Sequence, residues 1–215
     1  MSEDFRAQWR ERLASGSKLA ARALVQALKE DDARVALVAP LVSDPLVTVR
    51  VSTLRALGDI GDAKPHLVAP YARDLVQALG SPEPDAQAAA LHGLAAVAHH
   101  APAEAALALP LIADLLRARR PGLREEAARC LGRLGQETPS VAPDAARRLA
   151  DALAAARSPR AAQEAREILA ALEGLVANLP PPERQLVAAR VSAMRGHPNL
   201  QVRERAGRVA RALSA

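Results

Sequence analysis

The chain has 215 residues, half of them hydrophobic, with a net charge of +5 and one residue each of Phe, Trp and Tyr. It can bury a sizeable core, and that core must be built from Ala, Leu and Val, which suits closely packed helices rather than strands. The single cysteine, Cys130, excludes an intramolecular disulfide and a cysteine-rich zinc site.

No apolar run reaches the roughly 20 residues that a membrane span needs, and the opening MSEDFRAQWRERL is charged where a signal peptide would be apolar. The expected setting is a reducing cytoplasm without a membrane, with Cys130 a buried, inert thiol. The charge is uneven. Residues 1–100 carry 11 Lys plus Arg against 12 acids, and residues 101–215 carry 18 against 12. Arg outnumbers Lys by 26 to 3; the planar fork recognises phosphate and carboxylate, and a GC-rich coding bias gives the same preference.

In chain order, apolar spacing of three to four residues predicts helices near 3–14, 17–29, 32–43, 46–60, 65–79, 84–99, 102–118, 122–136, 141–156, 160–177, 182–195 and 199–213. Phe5 and Trp9 share one face of the first helix. Prolines at 45, 82, 121, 159 and 198 recur every 37 to 39 residues and mark helix starts, because Pro is tolerated in a first helical turn. Asp44, Ser81 and Ser158 precede three of them and are read as caps. Pro40, Pro70 and Pro110 fall inside helices and are expected to bend them. The stretch DPLVTVRVSTLRALGDIG (44–61) returns as RPGLREEAARCLGRLG (120–135), with Leu57, Gly58, Ile60 and Gly61 answering to Leu131, Gly132, Leu134 and Gly135 at a shift of 74 residues. The chain is therefore an array of roughly 37-residue units, each an antiparallel helix pair. The Gly58–Gly61 and Gly132–Gly135 pairs are read as helix ends in left-handed backbone.

This order resembles the HEAT repeat family, on Asp44, Pro45, Val49, Arg50, Ala56, Leu57, Gly58, Ile60 and Gly61, well at 120–135, partially at 198–213 through Val202 and Arg203, and weakly at 81–98 and 158–174, where Gln87 and Ala161 stand in place of the arginine. The resemblance implies an all-α right-handed α-α superhelix, a solenoid of about six antiparallel helix pairs. It also implies one domain over 1–215, with 1–30 as N-terminal capping helices, Phe5 and Trp9 among them, and 31–215 as about five repeats. In that family the turn Asp and helix Arg join neighbouring repeats, so Asp44, Arg50, Arg124 and Arg203 are expected to be structural.

In repeat register, Arg55, His92, Arg129, Arg166 and Arg208 form a basic column on successive second helices, about 10 Å apart, on a face that HEAT-like proteins usually make concave. A second cluster lies in the turns before second helices: Arg117, Arg119 and Arg120, then Arg157 and Arg160, then Arg195 with His197. Column and rim are candidate surfaces for a protein partner or for nucleic-acid phosphates. The five histidines lack the H-E-x-x-H spacing, and no phosphate-cradling loop or nucleophile elbow occurs. The expectation is a non-catalytic scaffold binding a protein partner through its second-helix face, with DNA binding as the alternative, no cofactor, and an open oligomeric state. The aromatic and acidic equipment of HEAT-like alkylation glycosylases is missing, and no motif marks a pigment lyase.

Overall fold

The computed structural model describes residues 2–214. Thirteen α-helices are found among them: α1 (Ser2–Ala14), α2 (Lys18–Glu30), α3 (Ala33–Val38), α4 (Val47–Ala63), α5 (Pro65–Val68), α6 (Ala72–Ala78), α7 (Pro84–Val97), α8 (Pro102–Leu115), α9 (Pro121–Glu137), α10 (Ala142–Ala155), α11 (Ala162–Leu175), α12 (Pro181–Ser192) and α13 (Leu200–Ser214). Short 3₁₀ turns extend several of them. The chain divides into two compact units, one ending at Glu104 and the other starting at Ala105.

In the first unit, α4 packs against α2 on one side and α7 on the other, and α1 packs on α3. In the second, α11 lies between α9 and α13, while α10 packs on α12. Each unit is thus an all-α stack of helix pairs, with second helices against second helices. The buried residues are almost all Leu, Val, Ile and Ala. Trp9 is buried, Phe5 lies against it with ring centroids 6.2 Å apart, and the Arg12 and Arg34 guanidinium groups sit over Trp9 and Phe5. Cys130 is buried and free of any disulfide.

The prolines act unevenly. Pro40 and Pro70 interrupt the helical run with 3₁₀ turns at Ala39–Ser43 and Ala69–Tyr71, whereas Pro110 lies inside an unbroken α8. The helices after Pro45, Pro82 and Pro198 start two residues later than the prolines, at Val47, Pro84 and Leu200. Asp44 and Ser81 are therefore not helix caps. Asp44 accepts from the Leu46 N–H at 2.9 Å, a local side-chain turn, and Ser81 donates to Glu83. Ser158 precedes the 3₁₀ turn Pro159–Ala161 without a capping hydrogen bond.

Gly58, Gly61, Gly132 and Gly135 are not helix ends either. All four lie within α4 or α9, and the positive-φ residue among those described is Gly16, at 67°. Their small size serves close packing. A Cβ at Gly58 would stand 2.7 Å from His92 Nδ1, one at Gly61 3.0 Å from Ala96 Cβ, and one at Gly132 2.7 Å from Ala171 Cβ; at Gly135 it would collide with Leu175. Those missing side chains let α7 approach α4 and α11 approach α9.

Replacing Gly132 by Ala is expected to force α9 and α11 apart and to lower stability by about 1–3 kcal/mol, a fall in Tm of several degrees by circular dichroism. Gly122, in the first turn of the same helix, has nothing within 4 Å of a built Cβ, so Gly122→Ala is expected to leave Tm unchanged or raise it.

Candidate functional site

One arginine position organises the stack. Arg50, the fourth residue of α4, donates through Nη1 to the carbonyls of Asp44 (2.8 Å) and Pro45 (3.0 Å). Arg124, the fourth of α9, does the same to Ala118 (2.9 Å) and Arg119 (3.4 Å), and Arg203, the fourth of α13, to His197 (2.8 Å) and Pro198 (3.0 Å). These carbonyls lie in the turn entering the helix, so the guanidinium closes that turn. Its remaining nitrogens reach the next layer: Arg50 lies 3.1 Å from Glu83, and Arg124 donates to Glu164 at 2.8 Å. Glu164 is buried near the start of α11; in this layer an acid meets the arginine ahead of it, and Ala161, read as the substitute, belongs to the preceding 3₁₀ turn. In the layer before Arg50, Asp44 is the receiving acid and accepts from Arg10 of α1 at 2.6 Å.

Charge follows this geometry. The Glu164 hydrogen bond, opposed by burial, raises the Arg124 pKa above the guanidinium norm. The Ser81 hydrogen bond holds the Glu83 carboxyl below its ordinary 4.5, with burial opposing and Arg50 assisting.

The predicted column falls on the second helices and is largely compensated there. In the first unit, Arg55 is exposed on α4 and makes no hydrogen bond or ion pair among the described residues, while His92 on α7 lies over Gly58 with Nε2 2.8 Å from Asp62. In the second unit, Arg129 pairs with Glu126 on its own helix and with Glu167 of α11 at 3.2 Å. Burial works against the Arg129 charge, but both glutamates outweigh it and raise its pKa. Arg166 donates to Gln163 and, across to α13, to Gln201. Arg208 and Arg205 each lie 3.7 Å from Glu173 of α11. Four of the five column members therefore have a packing use that register alone did not reveal, and the face carries both signs. The acids were visible as Glu126, three residues before Arg129, and as Glu167, Glu173 and Asp62 on the neighbouring helix.

The rim is less uniform than its sequence. Arg117, Arg119, Arg120, Arg157, Arg160 and Arg195 are exposed, but His197 is buried, 4% exposed, with Nδ1 accepting from the Asn199 N–H at 3.0 Å. His197 belongs to the turn closed by Arg203 and leaves the rim. Arg117 borders a cleft of about 210 Å³ that is also lined by Asp114, Asp151, Glu164 and Arg148. Among the described residues no three His, Cys, Asp or Glu side chains group as metal ligands, and no helix is long and apolar enough to cross a membrane.

Lowering the pH through the Glu83 titration tests the contacts that Ser81 and Arg50 make to this carboxylate. A depressed carboxyl pKa stabilises the fold above 4.5 and loses that contribution as pH falls through the folded-state value. Glu83→Gln is therefore expected to melt below the wild type at pH 7, with the gap closing as the pH drops beneath 4.5; a gap independent of pH would contradict a Glu83 carboxylate held ionised by Ser81 and, secondarily, by Arg50.

No family model and no curated protein matches the sequence. Solved structures do. A designed armadillo repeat protein is 15% identical, with TM-score 0.74 over 97% of this chain and 99% of its own. Another, in complex with peptide (KR)4, is 16% identical, with TM-score 0.71 over 97% and 99%. The archaeal HEAT-like repeats protein from Thermococcus onnurineus NA1 is 15% identical, with TM-score 0.59 over 97% of both chains. These likenesses show the fold: the chain is an all-α solenoid of the armadillo and HEAT-like kind.

Proposed function

We propose that the chain is a non-catalytic scaffold that holds a protein partner on the exposed face of its second helices, with residues 1–30 as its N-terminal capping helices, 31–215 as about five repeats, and the cytoplasm as its setting. The observation that carries this reading is the mixed face of α9, α11 and α13. There Arg129, Arg166 and Arg208 stand among Glu126, Glu167, Glu173, Gln163 and Gln201. Such a surface offers donors and acceptors at successive layers, which matches the side chains and backbone of a polypeptide. A polyphosphate needs an excess of cations instead. A designed protein of this fold holds a peptide, (KR)4, and acids placed as Glu126, Glu167 and Glu173 are would suit basic residues in a partner.

A second reading, nucleic-acid binding, rests on the exposed rim arginines Arg119, Arg157, Arg160 and Arg195 and on the 18 Lys plus Arg against 11 acids in residues 105–215. The two separate in one experiment. Tagged protein is incubated with native lysate at about 0.15 M salt, where the Debye length is about 8 Å, and duplex DNA is titrated in parallel, for the wild type, the triple variant Arg129→Glu, Arg166→Glu, Arg208→Glu, and the rim variant Arg119→Glu, Arg157→Glu, Arg160→Glu. The scaffold reading expects a protein partner lost with the face variant and kept with the rim variant. Steeply salt-dependent DNA binding abolished by the rim variant would favour nucleic acid, and recovery of no partner would count against the scaffold.

A further inference from the structure

Most arginines of the second unit have a side-chain partner: Arg129, Arg133, Arg148, Arg166, Arg190 and Arg208 each meet an acid or an amide. The turns that enter α9 and α11 differ. Arg119 before α9, and Arg157 and Arg160 before α11, are exposed, and their side chains make no hydrogen bond or ion pair among the described residues. Arg120, beside Arg119, is exposed as well. Neither RARRP (117–121) nor RSPRA (157–161) contains an acid. Both turns belong to layers with a further helix pair, α12 and α13, stacked after them, so these cations are not left open for want of a neighbouring layer.

The two turns share one edge, because α9 and α11 run parallel with their ends level. Arg124, fourth in α9, donates to Glu164, third in α11, at 2.8 Å, and at the far end Asn178 donates to the Gly135 carbonyl at 2.9 Å. Packed helices stand about 10 Å apart, so the arginines form two groups at roughly that spacing. Both helices point their positive N-terminal ends at the same edge, and the acid in the first turn of α11, Glu164, is already held by Arg124.

Uncompensated guanidinium groups on one edge call for a polyanion, and their planar fork suits phosphate. What the edge lacks narrows the choice. No Phe, Trp or Tyr follows Tyr71 in the chain, so the second unit has no stacking platform for unpaired bases. The exposed large apolar side chains all lie outside these two turns, so nothing there would anchor in a lipid layer. A double helix presents its phosphates at fixed places, whereas a single strand or a peptide must first be ordered. Its grooves are about 6 and 12 Å wide, a span that two arginine groups about 10 Å apart can straddle, each on the phosphates of one strand.

We infer that the edge carrying Arg119, Arg120, Arg157 and Arg160 docks the phosphate backbone of a nucleic-acid duplex across a groove, without regard to sequence. This rests on the nucleic-acid reading of the rim and names the form it takes; it leaves the second-helix face free for a protein.

The test is fluorescence anisotropy on the full chain with two fluorescein-labelled DNA duplexes of about 20 base pairs, equal in composition but scrambled in sequence, and with their single strands, at salt from about 50 to 200 mM. Both duplexes are expected to bind saturably with Kd values within about threefold of each other, and the single strands roughly tenfold or more weaker. Four neutralised phosphates give a slope of log K against log salt of about −3 to −4. Arg157→Ala with Arg160→Ala should weaken duplex binding roughly tenfold or more and lower that slope by about 2. Arg211→Ala is the charge control: its side chain is exposed near the opposite end of α13, without hydrogen bond or ion pair among the described residues, and Kd should change by less than about twofold. Thermal melts accompany each variant and are expected to match the wild type, since none of these side chains packs in the core. Absence of binding to any DNA at the lowest salt would overturn both the inference and the nucleic-acid reading. Single strands binding as tightly as duplex, a sequence preference above about tenfold, an unchanged slope in the double variant, or equal loss with Arg211→Ala would overturn the inference alone. So would displacement of the duplex by a poly-Glu peptide or anionic vesicles more readily than by unlabelled duplex of equal charge.

Discussion

The structure depends on one guanidinium placed four residues into a second helix. From there it satisfies the carbonyls of the turn behind it and the carboxylate of the layer ahead, so one side chain fixes both how a helix pair is joined and how two pairs sit together. Carbonyls at a tight turn have no helical partner, and a buried acid such as Glu164 needs a counter-charge; Arg124 answers both needs at once. Only an arginine has donors enough, in a fork wide enough, for this task.

Size supplies the complementary constraint. With almost no aromatics, the stack gains its burial from Ala, Leu and Val, and such cores reach native density only if the helices approach closely. Gly58, Gly61, Gly132 and Gly135 make that approach possible within each unit. Staple and glycines leave one strip of each second helix exposed, carrying Arg55 on α4, Arg129 and Arg133 on α9, Gln163 on α11 and Arg208 on α13, and all but Arg55 are held there by neighbouring side chains.

Much of this was legible in the sequence. The helices follow apolar spacing and proline punctuation closely, because both are local signals: α4, α7, α9 and α13 start within two residues of their expected positions. Local signals also misled. Leu-Gly-x-Ile-Gly reads as a helix terminus when only the chain's own neighbourhood is considered, and its true reason, the side chains of a helix one layer on, lies more than 30 residues away. Asp44 and Ser81 had the composition of caps, but their oxygens serve the two-residue turn before the helix. The column at Arg55, His92, Arg129, Arg166 and Arg208 was found by register, which sees repetition but not pairing; Glu167, Gln201 and Glu173 occupy the opposite side of each contact. His197 looked like a rim charge and is a buried turn residue, since its role is set by the Asn199 N–H and not by its type.

A double-mutant cycle on Arg124 and Glu164 tests the central claim most directly. Chemical denaturation of the wild type, Arg124→Gln, Glu164→Gln and the double variant isolates the energy that the two side chains share. For a half-buried, hydrogen-bonded pair that joins two layers, the account predicts a coupling of roughly 1–3 kcal/mol, with each single variant costing nearly as much as the double. Additive losses, with a coupling near zero, would contradict it.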